Sequence, residues 1–195
     1  MYSMSKKIKV EFYKDEPYNI LKQGGIFMER HINPGELNEN TFSLIGKDWF
    51  LITAGDKKQC NTMTASYGSF GILFGKPVAQ IYVRPERYTY DFLEEQNGFS
   101  LSFFSEEYRD QLKYCGKASG KDEDKIKRCE FTTLFKEDGI PYFREARLTV
   151  ICKKIYAQDL NAELLNDATV RQAVYGSGGV HRMYVGEITD LFYQE

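Results

Sequence analysis

The stretch from Trp49 to Tyr67, WFLITAGDKKQCNTMTASY, carries the strongest indication of the fold. Its first part, 49–54, is a short continuous apolar run, which is typical of a buried strand. The four residues at 55–58, GDKK, read as a hairpin loop. The chain then returns through 60–67, a run rich in threonine and small residues. The stretch therefore predicts a β-hairpin with one strand inside the protein.

Further strands are predicted on both sides of short helices. Strands are expected at Val78–Arg84, at a half-buried Phe99–Phe103, at Arg147–Tyr156 and at His181–Phe192. Helices are expected after Thr89 as N-cap, ending at Asn97-Gly98, after Ser105, and at an exposed Lys121–Arg128. A doubly wound parallel sheet needs a helix between most strands and fits poorly. We therefore expect a mainly β protein, an antiparallel barrel or sandwich with short peripheral helices.

The length of 195 residues suits one domain. No linker or internal repeat interrupts the sequence, so we assign 1–195 to a single domain. Residues 1–47 are polar and turn-rich and form an N-terminal lead-in with one predicted strand, Ile8–Tyr13. The barrel core is expected at about 48–192.

Composition limits the classes of partner. The formal net charge of −2 argues against a nucleic-acid partner and against a polybasic membrane surface. No apolar run is long enough to span a membrane, and no secretory signal is recognisable, so a cytoplasmic location and reduced cysteines are expected. With two histidines and no metal-ligand spacing, no metal site is predicted. Aromatic residues make up 15% of the chain and indicate sheet structure or a pocket for a flat ligand.

The segment RPERYT at 84–89 is the best local candidate for a binding site. It joins a strand end to a helix N-terminus, where free N–H groups attract anions. Arg87 adds a planar guanidinium that matches phosphate or carboxylate oxygens. A basic turn before a capped helix is the alternative interpretation.

Two further features have a structural and a functional interpretation. The small polar residues of NTMTAS at 61–66 can bring backbone and hydroxyl groups close to a flat polar ligand, or serve β-propensity alone. His181 follows the flexible GSGG at 176–179 and opens a strand. It either faces a ligand or belongs to the surface or an interface.

Taken together, these segments resemble a known family. In order they are NTMTAS (61–66), RPERYT (84–89), FSLSF (99–103), CG (115–116), SGKD (119–122) and HRMYVGE (181–187). This order is similar to that of the flavin reductase-like, FMN-binding split β-barrel family, and especially its flavoredoxin-like branch. The resemblance extends from about Trp49 to Ile188.

The resemblance implies a split barrel that binds FMN at a homodimer interface. It implies three groups of cofactor-binding residues. The isoalloxazine would be lined by Asn61, Thr62, Met63, Thr64, Ala65 and Ser66. The phosphate would be held by Arg87, Tyr88 and Thr89, with Arg84 nearby. Further contacts would come from Ser119, Gly120, Lys121 and Asp122, with His181 near the flavin or nicotinamide and Tyr67 or Phe70 shaping the ring pocket.

Three functions remain open. The first is an NAD(P)H-dependent flavin reductase, in which a hydride passes from the nicotinamide to flavin N5; no catalytic protein residue is then required. The second is a flavoredoxin-like FMN electron carrier that exchanges electrons with a redox protein partner. The third is a small barrel that stacks single-stranded nucleic acid on aromatic side chains, which would need a basic groove that the charge of −2 does not indicate.

Overall fold

The computed structural model describes residues 18–22 and 25–194. The predicted strand at Ile8–Tyr13 lies outside them. The strands are β1 (Tyr18–Lys22), β2 (Gly25–His31), β3 (Phe50–Gly55), β4 (Cys60–Ala65), β5 (Gly68–Leu73), β6 (Lys76–Val83), β7 (Gly98–Phe103), β8 (Thr133–Phe135), β9 (Pro141–Phe143), β10 (Leu148–Asp159) and β11 (Arg182–Gln194). The α-helices are α1 (Tyr88–Glu95), α2 (Arg109–Lys117), α3 (Lys125–Arg128) and α4 (Ala168–Tyr175). Short 3₁₀ turns lie at Pro34–Glu36, Glu106–Tyr108 and Ala162–Leu164, and a π-helical turn lies at Ser43–Asp48.

The main sheet is antiparallel and divides at its longest strand. Its order is β1-β2-β11-β10-β7-β3-β4, and β6 pairs with both β11 and β5. The first half of β11, from Arg182 to Glu187, pairs with β6, whereas its end, Phe192 to Gln194, pairs with β2. Meanwhile β10 runs along almost the whole of β11. The expected mainly β architecture with short peripheral helices is confirmed.

One hydrophobic core explains why these strands curve around each other. Buried side chains from β3, β4, β6, β7, β10 and β11 belong to a single cluster, which includes Ile52, Ile81, Leu101, Val150 and Tyr184. Because all six strands bury residues in this one cluster, they enclose a barrel-like interior.

Two local predictions differ from the structure. Every residue of β7 is buried, so this strand is not half-buried as its alternation suggested: its serine face is covered by other elements, and Ser100 Oγ donates to the carbonyl of Pro141 on β9 at 2.6 Å. In the predicted exposed helix 121–128, only 125–128 is α-helical, and Lys125 is 3% exposed.

The lead-in also contributes to the sheet. Strands β1 and β2 form a hairpin, and β2 joins the sheet through its pairing with β11. This pairing places the charged end of β2, from Glu29 to His31, beside the end of β11.

There, five residues form a buried charge cluster: Glu29, His31, Lys136, Tyr142 and Asp190. The Lys136 ammonium lies 3.1 Å from Glu29 and 2.9 Å from Asp190, and Tyr142 donates to Glu29 at 2.7 Å. His31 Nδ1 lies 2.7 Å from Asp190, and its Nε2 lies 3.4 Å from Glu29. Glu29 is only 3% exposed.

The cluster shifts the titration of its own members. Bonds to Asp190 and then to Glu29 raise the pKa of His31 to about 9, against its desolvation. Burial alone would raise the pKa of Glu29, but the bonds from His31, Tyr142 and Lys136 outweigh it and lower that pKa. Two carboxylates thus face one ammonium and one imidazolium, which ties β2 and the β8–β9 hairpin to β11.

No helix within the described ranges has both the length and the apolar character to cross a membrane.

Candidate functional site

Three segments far apart in the sequence meet at the N-terminus of α1. Asn61 on β4 donates its side-chain N–H to the Thr89 hydroxyl at 2.9 Å, and both side chains are buried. A Cβ at Gly120 would lie 2.1 Å from Asn61 Oδ1 and 3.0 Å from the Tyr88 ring, so the loop can approach this closely only with a glycine. The segments at 61, 87–89 and 119–121, predicted to share one site, are therefore side by side.

The N-terminus of α1 carries no side-chain cap. Arg87 occupies the N-cap position, and no side chain bonds to the first free N–H groups of the helix. The prediction that Thr89 is the cap is wrong, because Thr89 lies inside the first turn with its oxygen accepting from Asn61. Its hydroxyl proton can still be donated, because the bond from Asn61 uses only an acceptor position.

The loop at 119–122 is a compact turn beside this helix end. Ser119 accepts from the backbone N–H of Lys121 through its hydroxyl at 3.2 Å and from that of Asp122 through its carbonyl at 3.1 Å. The Lys121 ammonium lies 5.3 Å from the centre of the Tyr88 ring and 3.5 Å from Asp91. A second cation thus lies beside Tyr88, the residue that follows Arg87.

The two arginines of RPERYT serve different parts of the site. The Arg87 guanidinium is half-buried and donates to the carbonyl of Gly116 at 2.9 Å. Burial lowers the pKa of Arg87, yet an arginine remains charged at neutral pH. Arg84 instead donates to the carbonyl of Val174 and lies 5.7 Å over the Tyr175 ring, so its guanidinium is held against α4.

Most side chains of NTMTAS are used inside the protein. The Thr62 hydroxyl donates to the carbonyl of Ile52 at 3.1 Å, and the Thr64 hydroxyl donates to that of Leu112 at 2.5 Å. Met63 and Ala65 belong to the main core, and Ser66 follows the strand half-buried. The hydroxyl protons of both threonines are therefore used within the protein. The backbone of β4 is available to a ligand. This strand is the last in the sheet order, and its outer edge pairs with no other described strand.

His181 lies in an aromatic cluster at the other end of the site. Its Nδ1 is 2.9 Å from the Tyr175 hydroxyl, and its ring centre is 5.9 Å from that of Tyr67. Burial, and then the charge of Arg84, lower the pKa of His181, so the imidazole is neutral at pH 7. Of the two aromatics expected near a ring pocket, Tyr67 stands here, half-exposed, whereas Phe70 packs against the main core.

Sequence reasoning missed Tyr175 and the whole of α4. None of the α4 residues is buried, so the helix has no apolar stripe to recognise. The one available signal was Asp167, whose carboxylate accepts from the N–H groups of Thr169 and Val170 as an N-cap.

The fold and these segments define a class: a split β-barrel with an uncapped helix end beside Arg87 and an aromatic cluster beside an open strand edge. A family model described as "Flavin reductase like domain" matches residues 42–195. The chain belongs to this flavin reductase-like family.

Solved structures of related fold support the assignment. Flavoredoxin from Methanosarcina acetivorans is 21% identical, with a TM-score of 0.61 over 76% of this chain and 69% of that chain. An FMN-binding protein from Thermus thermophilus, with bound p-hydroxybenzaldehyde, is 16% identical, with a TM-score of 0.61 over 91% and 82% of the two chains. An NADH:FAD oxidoreductase from Streptomyces globisporus is 15% identical, with a TM-score of 0.56 over 76% and 78%. No curated protein matches the sequence.

Proposed function

We propose that this protein binds FMN, with the phosphate at the corner formed by the N-terminus of α1 and the loop at 119–121. The observation that carries the proposal is the meeting of three separate segments at an uncapped helix end, beside the cations of Arg87 and Lys121. Free N–H groups, a guanidinium and a hydroxyl are the donors that a phosphate dianion needs.

The ring system of FMN fits along the outer edge of β4 toward His181. Unpaired backbone N–H and C=O groups of an edge strand can bond to the polar edge of a flat heterocycle. The aromatic cluster of Tyr67, Tyr175 and His181 supplies apolar faces at the far end. His181 is neutral there, so it adds no charge beside the ring.

The reaction that we propose is the reduction of flavin by NADH or NADPH. When bound, FMN supplies the redox chemistry, and the protein supplies binding and orientation. Arg87 and Lys121 hold the phosphate end, while Tyr175 fixes the imidazole of His181 by its bond to Nδ1. The name of the Streptomyces globisporus relative, NADH:FAD oxidoreductase, supports this choice.

An electron carrier is the second candidate. Tyr67 at the ring end is 57% exposed, so a redox protein partner could approach this end directly. Two solved structures of this fold are named flavoredoxins, from Methanosarcina acetivorans and Desulfovibrio vulgaris.

One experiment separates the two candidates. Purified protein loaded with FMN is mixed with NADH or NADPH, with and without excess free flavin, and the near-ultraviolet absorbance of the nicotinamide is followed. We expect rapid oxidation of one nicotinamide. Slow oxidation with both, from a protein whose visible spectrum shows bound flavin, would leave the carrier as the function. A protein that acquires no flavin spectrum at saturating FMN would contradict both.

We also propose that a second copy of the chain completes the site. The β5–β6 hairpin leads away from Tyr67 and exposes Ile72 by 74% and Phe74 by 68%, and such an apolar patch next to a binding site is typical of an interface. We expect a dimer in sedimentation equilibrium and a monomer after Ile72→Asp with Phe74→Asp. Leu164→Asp, at a 76% exposed position in the 3₁₀ turn Ala162–Leu164, is the matched control. A monomeric wild-type protein would refute the interface.

A further inference from the structure

Two cysteines outside the proposed flavin site are in contact, at the two ends of the segment that carries the turn at 119–122. Cys115 on α2 and Cys129 directly after α3 have their sulfur atoms 3.6 Å apart. Both are free thiols. A disulfide requires roughly 2 Å between the sulfurs, so the two atoms must approach each other by about 1.6 Å to form one. The segment between the two cysteines, 116–128, contains the whole turn at 119–122.

The surroundings give the two thiols different roles. Cys115 is fully buried, whereas Cys129 is 8% exposed and lines a surface depression with Tyr114, Arg128 and Glu130. An oxidant arriving from solvent therefore meets Cys129 first. Burial raises the pKa of Cys129, while the hydrogen bond from the Cys115 thiol and the positive side chains of Lys125 and Arg128 act against that rise. Burial, and then the contact with Cys129, raise the pKa of Cys115 to about 12, so Cys115 remains protonated.

The pair is mechanically connected to the corner described above. The buried Lys125 ammonium donates to the carbonyl of Cys115 at 3.1 Å, and Arg87 donates to the next carbonyl, that of Gly116. Both cations therefore bond to the C-terminal end of α2, at Cys115 and at the residue that follows it. A covalent bond between Cys115 and Cys129 would therefore fix the base of the loop against α2.

We propose that Cys115 and Cys129 form a reversible redox pair that closes the 116–128 loop with a disulfide when a hydroperoxide is present. The Cys129 thiolate attacks the peroxide oxygen, so an S–O bond forms, the O–O bond breaks, and the leaving oxygen takes a proton. Cys115 then attacks the Cys129 sulfur, forming the S–S bond, and hydroxide leaves with the Cys115 proton as water. Two thiols are oxidised, and one hydroperoxide is reduced to an alcohol (or water) and water.

The test uses the full chain without added flavin and hydrogen peroxide as the oxidant. After alkylation of the remaining thiols and digestion under non-reducing conditions, we expect a cross-linked peptide that joins Cys115 to Cys129 and disappears with dithiothreitol. In Cys115→Ser, Cys129 should stop at the sulfenic acid and be captured by dimedone. Cys60→Ser is the matched control, since it removes a half-buried thiol on β4 and should leave the cross-link intact.

A second measurement does not depend on the variants. Trypsin can cut after Lys121, Lys127 and Arg128, and the oxidised wild-type protein should resist cleavage there several-fold better than the reduced protein. Peroxide that modifies Cys60 while Cys115 and Cys129 stay free, in a chain that remains folded, would overturn the proposal. Any effect of the disulfide on FMN affinity depends on the proposed function as well. If the cross-link forms but neither the oxidised nor the reduced protein binds FMN, the flavin site is contradicted and the redox pair is still supported.

Discussion

Replacing Lys136 by Met is expected to lower the free energy of unfolding by about 3–5 kcal/mol, the usual cost of removing one partner from a buried ion pair. The Lys136 ammonium lies within 3.1 Å of both Glu29 and Asp190. Without it, two carboxylates share one imidazolium, and Glu29 is too buried to be hydrated. Met keeps an unbranched apolar side chain of similar length, so the loss reports mainly the ammonium, which lies 4.0 Å from the centre of the Phe192 ring.

Urea unfolding of the variant should be compared with that of Lys76→Met. Lys76 also forms a close ion pair, 2.6 Å from Glu187, but its side chain is 42% exposed. An exposed pair contributes about 0–1 kcal/mol, so this control should be nearly neutral. Equal losses in the two variants would show that burial of the charge cluster does not determine its contribution.

The pH profile gives an independent check on the charge cluster. The pKa of His31 is raised from 6.5 to about 9 on folding, so its stabilisation is complete below pH 6.5 and is lost as pH rises through 9. The full difference corresponds to about 3 kcal/mol at most, at 1.36 kcal/mol per pKa unit. The free energy of unfolding at about pH 6 should therefore exceed that at about pH 10, and this difference should be smaller in His31→Gln.

The strands were predictable because their signal is local. The apolar run at 49–54, the return at 60–67 and the alternation in 78–84 each report burial of one strand by itself, and all three lie within a residue or two of the observed strands. Whether the second face of a strand is covered depends on other elements. This is why β7, which alternates serine with apolar residues, is buried on both faces.

The charge cluster illustrates what remained hidden. Glu29 and His31 are two residues apart on β2, so they point to one face, but their partners Lys136 and Asp190 are more than a hundred residues away in sequence. Nothing in the local pattern around His31 indicates an ion pair. The pairing of β2 with β11 brings Glu29 and His31 close to Asp190, and Lys136 reaches both carboxylates from the β8–β9 hairpin.

The candidate site also has residues that the sequence reveals locally and others whose roles depend on contacts between distant elements. The segment at 84–89 carries its chemistry in consecutive residues and was recognisable at once. The use of Thr62 and Thr64 inside the protein was not, because the hydroxyl of a strand threonine can face either a ligand or a neighbouring backbone carbonyl. Tyr175 stayed unseen because α4 buries no residue.

Replacing Arg87 by Ala is expected to weaken FMN binding by about 1.5–3 kcal/mol, the contribution of a hydrogen bond to a charged group, which is roughly a 10- to 150-fold rise in the dissociation constant. Arg87 is the half-buried cation at the uncapped end of α1, where a phosphate would be least screened by solvent. Quenching of flavin fluorescence on titration of the apoprotein measures the affinity directly.

Two comparisons show that such a loss comes from the phosphate contact. Arg87→Lys keeps the charge but loses the planar fork, so its affinity should fall between those of wild type and alanine variant. Lys113→Ala removes an exposed cation on α2, which pairs with Asp110, and should leave the affinity unchanged. Because Arg87 also bonds to Gly116, thermal unfolding of each apoprotein must be measured, and only an affinity loss in a folded variant counts. If the Arg87→Ala protein is folded and binds FMN like wild type, the phosphate does not lie at the N-terminus of α1. The proposed direction of the ring along β4 would then be wrong as well.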